Sequence, residues 1–228
     1  RRRGMRLEKA STKAIRYAIM NWHYSKSVPM VQVAYAVFND QMEWCGVICY
    51  GIGATMNIAK PYKLAGGEVV ELVRVALNGK QGSTSKAVSI SLRLLKKDAP
   101  LAKMVVSYAD SEQGHFGTMY QASNWYFEKT VVDGMQKCIL NGKPVHRRTI
   151  YSIRGSSAGL EYVKAEPKHK YIYPLCKSMI GLCKTLSKPY PKKQQHADEA
   201  LPAVRLTSSQ DEGFDSTRPL KINKDKTR

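Results

Sequence analysis

The sequence predicts a mixed α/β (α+β) domain, a central sheet flanked by helices. Three observations predict it. Helical spacings of apolar residues alternate with short β-branched or aromatic runs over the first 185 residues. Residues 69–109 read strand, loop, helix, strand, a unit that makes its two strands parallel within a mixed sheet. Hydrophobic residues are 43% and charged residues 24% of a 228-residue chain, enough to bury the core of one domain.

The elements follow in order. Ser11 is placed to N-cap a helix running to Trp22, with Ile15, Ile19 and Trp22 at i, i+4 and i+7. Residues 31–38 and 44–50 form a hairpin across Asn39-Asp40-Gln41. A strand at 69–77 leads through a Gly/Ser loop into a helix at 85–97, whose Val88, Leu92 and Leu95 share one face. The next strand, 103–109, ends at Asp110, and Gly114-His115-Phe116-Gly117 precedes a helix at 118–127. Residues 130–132 and 135–140 extend the sheet, and 145–153 pairs back across Asn141-Gly142, where both residues tolerate positive φ. A short strand at 170–173 and a helix at 175–185 complete a single domain over 5–185. The Pro/Lys/Gln/Ser/Asp-rich tail, 186–228, is expected to be extended or disordered.

Charge narrows the function classes. Lys and Arg number 37 against 18 acidic residues, a formal charge of +19. That balance points to a polyanion, nucleic acid before an anionic membrane, with a merely basic scaffold as the plainer alternative. The first 185 residues hold 28 basic and 12 acidic residues, so the folded part carries the excess. Residues 1–16 hold seven basic residues, and residues 141–170 hold Lys143, Arg147, Arg148, Arg154, Lys164, Lys168 and Lys170. No run of 18 apolar residues suggests a membrane helix, and no apolar run follows Arg1-Arg2-Arg3-Gly4 as in a signal peptide. Five cysteines, with no CxxC pair, read as reduced residues of a cytoplasmic protein without a structural zinc site.

Four constellations can carry chemistry. Residues 71–85 run from a strand through a Gly/Ser loop to a helix start, where Gly82 and free N–H groups suit an anion and Arg74 or Lys80 could neutralise it. An ordinary Ser-capped turn fits the spacing equally well. Asp110, at the end of a central strand, is placed for general-base work, with Tyr120 as proton donor or stacking ring. His115 is either a neutral-pH acid–base group or a stacking residue, while Trp125 and Tyr126 suit the core better. His23-Tyr24-Ser25-Lys26-Ser27 either lines a site or ends the helix. Lys168-His169-Lys170-Tyr171-Ile172-Tyr173 interleaves cations and rings as in phosphate contact with base stacking, or is a strand with one wet face.

Taken together these residues resemble known proteins. The strand–loop–helix–strand layout resembles the GNAT acyltransferase fold. His23-Tyr24-Ser25 with Pro29, Gly46-Val47-Ile48-Cys49-Tyr50-Gly51, Glu71-Leu72-Val73-Arg74, Ser107-Tyr108-Ala109-Asp110 and Gly117-Thr118-Met119-Tyr120-Gln121-Ala122 resemble, in that order, the Mom family of Mu-like phages. The likeness spans residues 18–173.

The resemblance implies an enzyme of the host bacterial cytoplasm that converts adenine in double-stranded DNA to its N6-carbamoylmethyl form, which blocks restriction enzymes. It implies His23, Tyr24, Asp110 and Tyr120 at the reacting centre, and Arg74 and Ser85, with the neighbouring Gly82 and Ser83, at the donor. The donor is a small-molecule or carrier-bound group, acetyl-coenzyme A or a related acyl donor among the candidates. An iron ion is conceivable near His23, Tyr24 and Asp110, although their spacing is no ligand signature. Lys143, Arg147, Arg148, Arg154, Lys168, Lys170 and Tyr171 are the expected DNA contacts, with Tyr24, Tyr120 and Tyr171 as stacking rings. One departure stands out: Thr84 and Ser85 occupy loop positions where GNAT enzymes carry glycine, and their side chains crowd the backbone a pyrophosphate would approach. Two other functions fit the residues, a coenzyme A-dependent N-acetyltransferase and a non-catalytic nucleic-acid-binding module.

Overall fold

A computed structural model of the chain describes residues 4–52, 57–132, 137–163 and 166–191. Arg1 to Arg3, Lys164, the side chain of Arg148 and the tail from residue 192 onward lie outside the described residues.

The strands of the main sheet are β1 (Arg6–Lys9), β2 (Val33–Phe38), β3 (Trp44–Gly51), β4 (Val69–Leu77), β5 (Met104–Asp110), β6 (Tyr126–Val131) and β10 (Lys168–Pro174). They lie in the order β1-β2-β3-β4-β5-β10-β6. Every pairing is antiparallel except β4 with β5. This is the mixed sheet flanked by helices that the sequence predicts, with its one parallel pair at the strand–helix–strand unit.

Helix α1 (Thr12–Trp22) starts where Ser11 Oγ accepts the Ala14 N–H at 3.2 Å. Its Ala18 and Ile19 pack on Ala34, Val47, Cys49 and Ala76, on one face of the sheet. Helix α2 (Thr84–Asp98) buries Val88, Leu92 and Leu95 against Tyr35, Val37, Ile48 and Tyr50 on the other face. The alternation of β2 and β3 separates these two sets, since successive side chains point to opposite faces. Helix α5 (Ser178–Leu186) covers Met104, Val106 and Ile172 through Cys183.

Three expectations are corrected. The helix expected over 118–127 is the five-residue α3 (Thr118–Ala122). The Ser123 hydroxyl donates to the Met119 carbonyl at 2.7 Å and Asn124 takes φ +61°, which stops the helix and delivers Tyr126 to β6. The strand expected over 145–153 is β8 (Lys143–His146) followed by helix α4 (Arg147–Arg154). Its partner β7 (Lys137–Leu140) offers only four residues, so the chain beyond His146 satisfies its backbone by coiling. With β9 (Tyr162–Val163), β7 and β8 form a separate three-stranded sheet rather than extending the main one. The Asn141-Gly142 turn has φ of +53° and +73°, as expected.

Ordered structure runs past Leu186. Lys188 donates its N–H to the Phe127 carbonyl at 2.8 Å, and the Tyr190 hydroxyl donates to the Trp125 carbonyl at 2.7 Å.

Candidate active site

Strands β4 and β5 pair at only three positions, Val69 with Met104 through Glu71 with Val106, and then diverge. Divergence frees backbone groups that must find other partners. Ser107 supplies one: its hydroxyl, buried at the fork, donates to the Leu72 carbonyl at 2.8 Å. Its proton thus engaged, Ser107 Oγ accepts from the Tyr120 hydroxyl, also at 2.8 Å. Burial raises the Tyr120 pKa, so that hydroxyl keeps its proton. This pair of hydroxyls holds the fork open, and a cleft of about 1010 Å³ begins there.

A second device aims Arg74. The β3–β4 register shifts between Cys49 and Tyr50, which pair with Arg74 and Leu72, leaving Val73 as the extra residue of a β-bulge. The bulge reverses the alternation. Leu72 faces the α2 side with Tyr50, whereas Arg74 joins Cys49 and Ala76 on the α1 side, where α1 ends. The guanidinium donates to the Ser27 carbonyl at 3.3 Å and the Val73 carbonyl at 2.7 Å. No described carboxylate forms an ion pair with it.

His23, Tyr24 and Asp110 converge on the cleft from α1 and β5. The Tyr24 hydroxyl donates to Asp110 Oδ2 at 3.3 Å, across 86 residues of sequence. Asp110 Oδ1 accepts the Glu112 N–H at 3.2 Å, which caps the turn after β5 and fixes the carboxylate. The His23 ring stacks on Tyr24, centroids 4.4 Å apart, and His115 meets Tyr24 edge-on at 5.9 Å.

Two pKa shifts define the protonation pattern. Burial, then the charges of Arg74, His115 and Lys26, lowers His23 to about 4, so its ring is neutral at pH 7. The Ser25 N–H donates to His23 Nδ1 at 3.1 Å, which assigns the ring proton to Nε2. Partial burial in the cleft, then the Asp110 charge and hydrogen bond, raises Tyr24 to about 12, and its hydroxyl stays a donor.

The expected donor residues are divided. Arg74 lines the cleft, and so does Thr84, at the start of α2. Gly82, Ser83 and Ser85 stand behind it in the capping turn. Gly82 adopts φ +74°, the Ser83 hydroxyl accepts the Lys86 N–H at 3.2 Å, and Ser83 and Ser85 hydroxyls lie 3.3 Å apart. Ser83 therefore acts as the α2 N-cap.

The expected DNA contacts also separate. Lys143, Arg147 and Arg154 are exposed on the β8–α4 unit, and Lys168 lines the cleft. Lys170 and Tyr171 are corrected. Lys170 also borders the cleft, but it is 5% exposed, pairs with Glu128 at 3.1 Å and lies 4.9 Å over the Tyr62 ring, so its charge is held by Glu128. Tyr171 is fully buried, stacked on Tyr120 at 4.8 Å, with its hydroxyl on the Phe116 carbonyl. No base can reach that ring. Among the described residues, no group of three or more His, Cys, Asp or Glu side chains is arranged to hold a metal ion.

Sequence reasoning gave no role to Ser107, although it lies in the Ser107-Tyr108-Ala109-Asp110 run, and placed Trp22 only on the apolar stripe of its helix, although it also lines the cleft.

Several known proteins are similar to this chain. The methylcarbamoylase Mom of Escherichia phage Mu is 28% identical over 179 residues, 74% of this chain and 71% of that protein. Among solved structures, a spermidine/spermine N-acetyltransferase from Vibrio cholerae has 10% identity and a TM-score of 0.45, covering 77% of this chain and 95% of its own. An acetyltransferase from Bacillus subtilis in complex with coenzyme A has 12% identity and a TM-score of 0.46, covering 76% and 99%. A profile of the Mom protein family matches residues 4–192, a span that takes in every strand and helix just described, and the chain belongs to that family.

Proposed function

We propose that this chain is a transferase that places a carbamoylmethyl group on N6 of adenine in double-stranded DNA. The observation that carries the reading is the Tyr24–Asp110 hydrogen bond in the cleft, flanked by a neutral His23. Family membership and the methylcarbamoylase activity named for the phage Mu relative support the transferred group, and the basic excess of the chain supports a polyanionic substrate.

The chemistry suits those groups. The adenine amine is a poor nucleophile because its lone pair delocalises into the ring. As the N6–carbon bond forms, the bond between the carbamoylmethyl carbon and its carrier breaks, and the carrier leaves with the electron pair. The proton lost from N6 passes to the Asp110 carboxylate, a base held by Tyr24 and the Glu112 N–H. The His23 Nε2–H is a donor for the amide oxygen of the incoming group. Arg74 is the cation for an anionic carrier, with Thr84 beside it. Tyr120 and Ser107 keep the fork open beneath the reacting atoms. The carrier is a small-molecule or macromolecular leaving group bonded to the carbamoylmethyl carbon, and Arg74 with Thr84 is its proposed contact.

Adenine N6 is paired within duplex DNA, so the base must leave the stack, and the cleft has room for it. Lys143, Arg147, Arg154 and Lys168 are the proposed phosphate contacts.

Mass spectrometry of nucleosides from host DNA after expression tests the reading. The expected result is an adenosine species heavier by a carbamoylmethyl group, reduced at least about 100-fold by Asp110→Asn with the fold retained. Unmodified adenosine in cells making the soluble wild-type chain would overturn it.

A further inference from the structure

Outside the reaction cleft lies a second groove of about 740 Å³, between α1 and the β1–β2–β3 edge of the sheet. Its floor is aromatic. Tyr17, Trp22 and Trp44 pack together, with Trp22 and Trp44 centroids 4.9 Å apart and Tyr17 5.5 Å from Trp22 and 5.8 Å from Trp44. Tyr17 stays 54% exposed, far more than an aromatic ring recruited only to seal a helix against a sheet. Lys9 and Lys13 stand on the rim, with the Ser11 hydroxyl between them in sequence.

Charge around the groove favours an anion. Lys13, Tyr17 and Met20 fall at i, i+4 and i+7 along the exposed stripe of α1, with Arg16 beside them. Among the described residues no carboxylate forms an ion pair with Lys13 or Arg16. The groove's own carboxylate, Glu8, is paired with Arg6 at 3.0 Å, and Lys9 shares Asp98 at 3.4 Å. The two cavities are also neighbours, since Trp22 lines both.

We propose that this groove binds unpaired nucleotides of the DNA strand next to the reacting adenine. A base stacks on the exposed Tyr17 ring at the edge of the tryptophan pair, and the adjoining phosphates lie against Lys13 and Lys9. The proposal rests on DNA being the substrate and adds a place for the nucleotides next to the reacting adenine. A base leaving the duplex loses its own pairing and stacking, and a stacking platform one indole away from the cleft would stabilise flanking nucleotides that open with it.

Tryptophan emission of the full-length chain reads this directly. The chain has three tryptophans: Trp22 and Trp44 line the groove, and Trp125 is fully buried elsewhere. In a Trp22→Phe variant, Trp44 reports the groove alone. Titration with a single-stranded oligodeoxythymidine should quench that emission. Tyr17→Ala should weaken single-strand binding about tenfold, and Lys13→Glu should lower the slope of log affinity against log salt by about one. Circular dichroism checks that each variant is folded, and the two substitutions test the groove independently.

If the oligonucleotide binds, by anisotropy, with emission and affinity unchanged in these variants, the groove proposal fails and the DNA reading stands. If neither single-stranded nor duplex DNA binds the wild type, both fail. Quenching by free coenzyme A but not by the oligonucleotide would also overturn the proposal, because the groove would then serve a nucleotide-bearing carrier.

Discussion

At the scale of single residues, His23 shows how packing sets chemistry. The ring is crowded and faces Arg74, His115 and Lys26, so it takes up its proton near pH 4 instead of 6.5. Between those values the unfolded chain holds a proton that the folded chain refuses. The stability this represents is intact above about pH 6.5 and is lost as pH falls toward 4. Thermal melts across that window should therefore decline less steeply in His23→Gln than in the wild type, and equal declines would show the ring to be unperturbed. Asp110 was legible in the sequence as an acid at the end of a central strand. Its bond to Tyr24 was not, because 86 residues separate them and only the return of α1 to the sheet joins them. Lys170 and Tyr171 illustrate the opposite case. An alternating basic–aromatic run has the composition of a nucleic-acid surface, but burial on β10 turned the lysine to Glu128 and the tyrosine to Phe116.

At the scale of elements, boundaries were legible where local rules decide them. Ser11 and Ser83 cap their helices through their own hydroxyls, and β4 ends as its pattern predicts. Strand β1 escaped notice because a charged run such as Arg6-Leu7-Glu8-Lys9 suits a sheet edge but carries no apolar alternation. The Gly114 to Gly117 loop gives this scale its prediction. Gly117 has φ +86°, and an added Cβ would overlap the Tyr171 ring. Gly117→Ala should cost about 3 kcal/mol by urea unfolding, combining left-handed strain with overpacking. The same substitution would push away the Phe116 carbonyl that Tyr171 holds and shift the loop lining the cleft. A midpoint unchanged from the wild type would refute that account of the loop.

For the whole molecule, the charge of +19 is a statement about association. If Lys143 and Arg154 on the β8–α4 unit contact phosphates, Lys143→Glu and Arg154→Glu should each lower the salt slope of duplex binding by about one, read by anisotropy between 50 and 200 mM salt. Slopes that stay at the wild-type value would move the duplex elsewhere on the surface. By itself the sequence determined the fold class, the parallel strand pair, the basic excess of the folded part and the family. These follow from periodicity, turn chemistry, composition and ordered motifs, all carried by neighbouring residues. The tertiary structure alone decided where β4 and β5 part, that a bulge at Val73 turns Arg74 toward His23, and that Ser107 and Tyr120 brace the fork. It also decided which cations stay exposed and which, like Lys170, are paired inside. Each of these depends on which distant backbone and side-chain groups satisfy one another once water is excluded, a condition that no local pattern encodes.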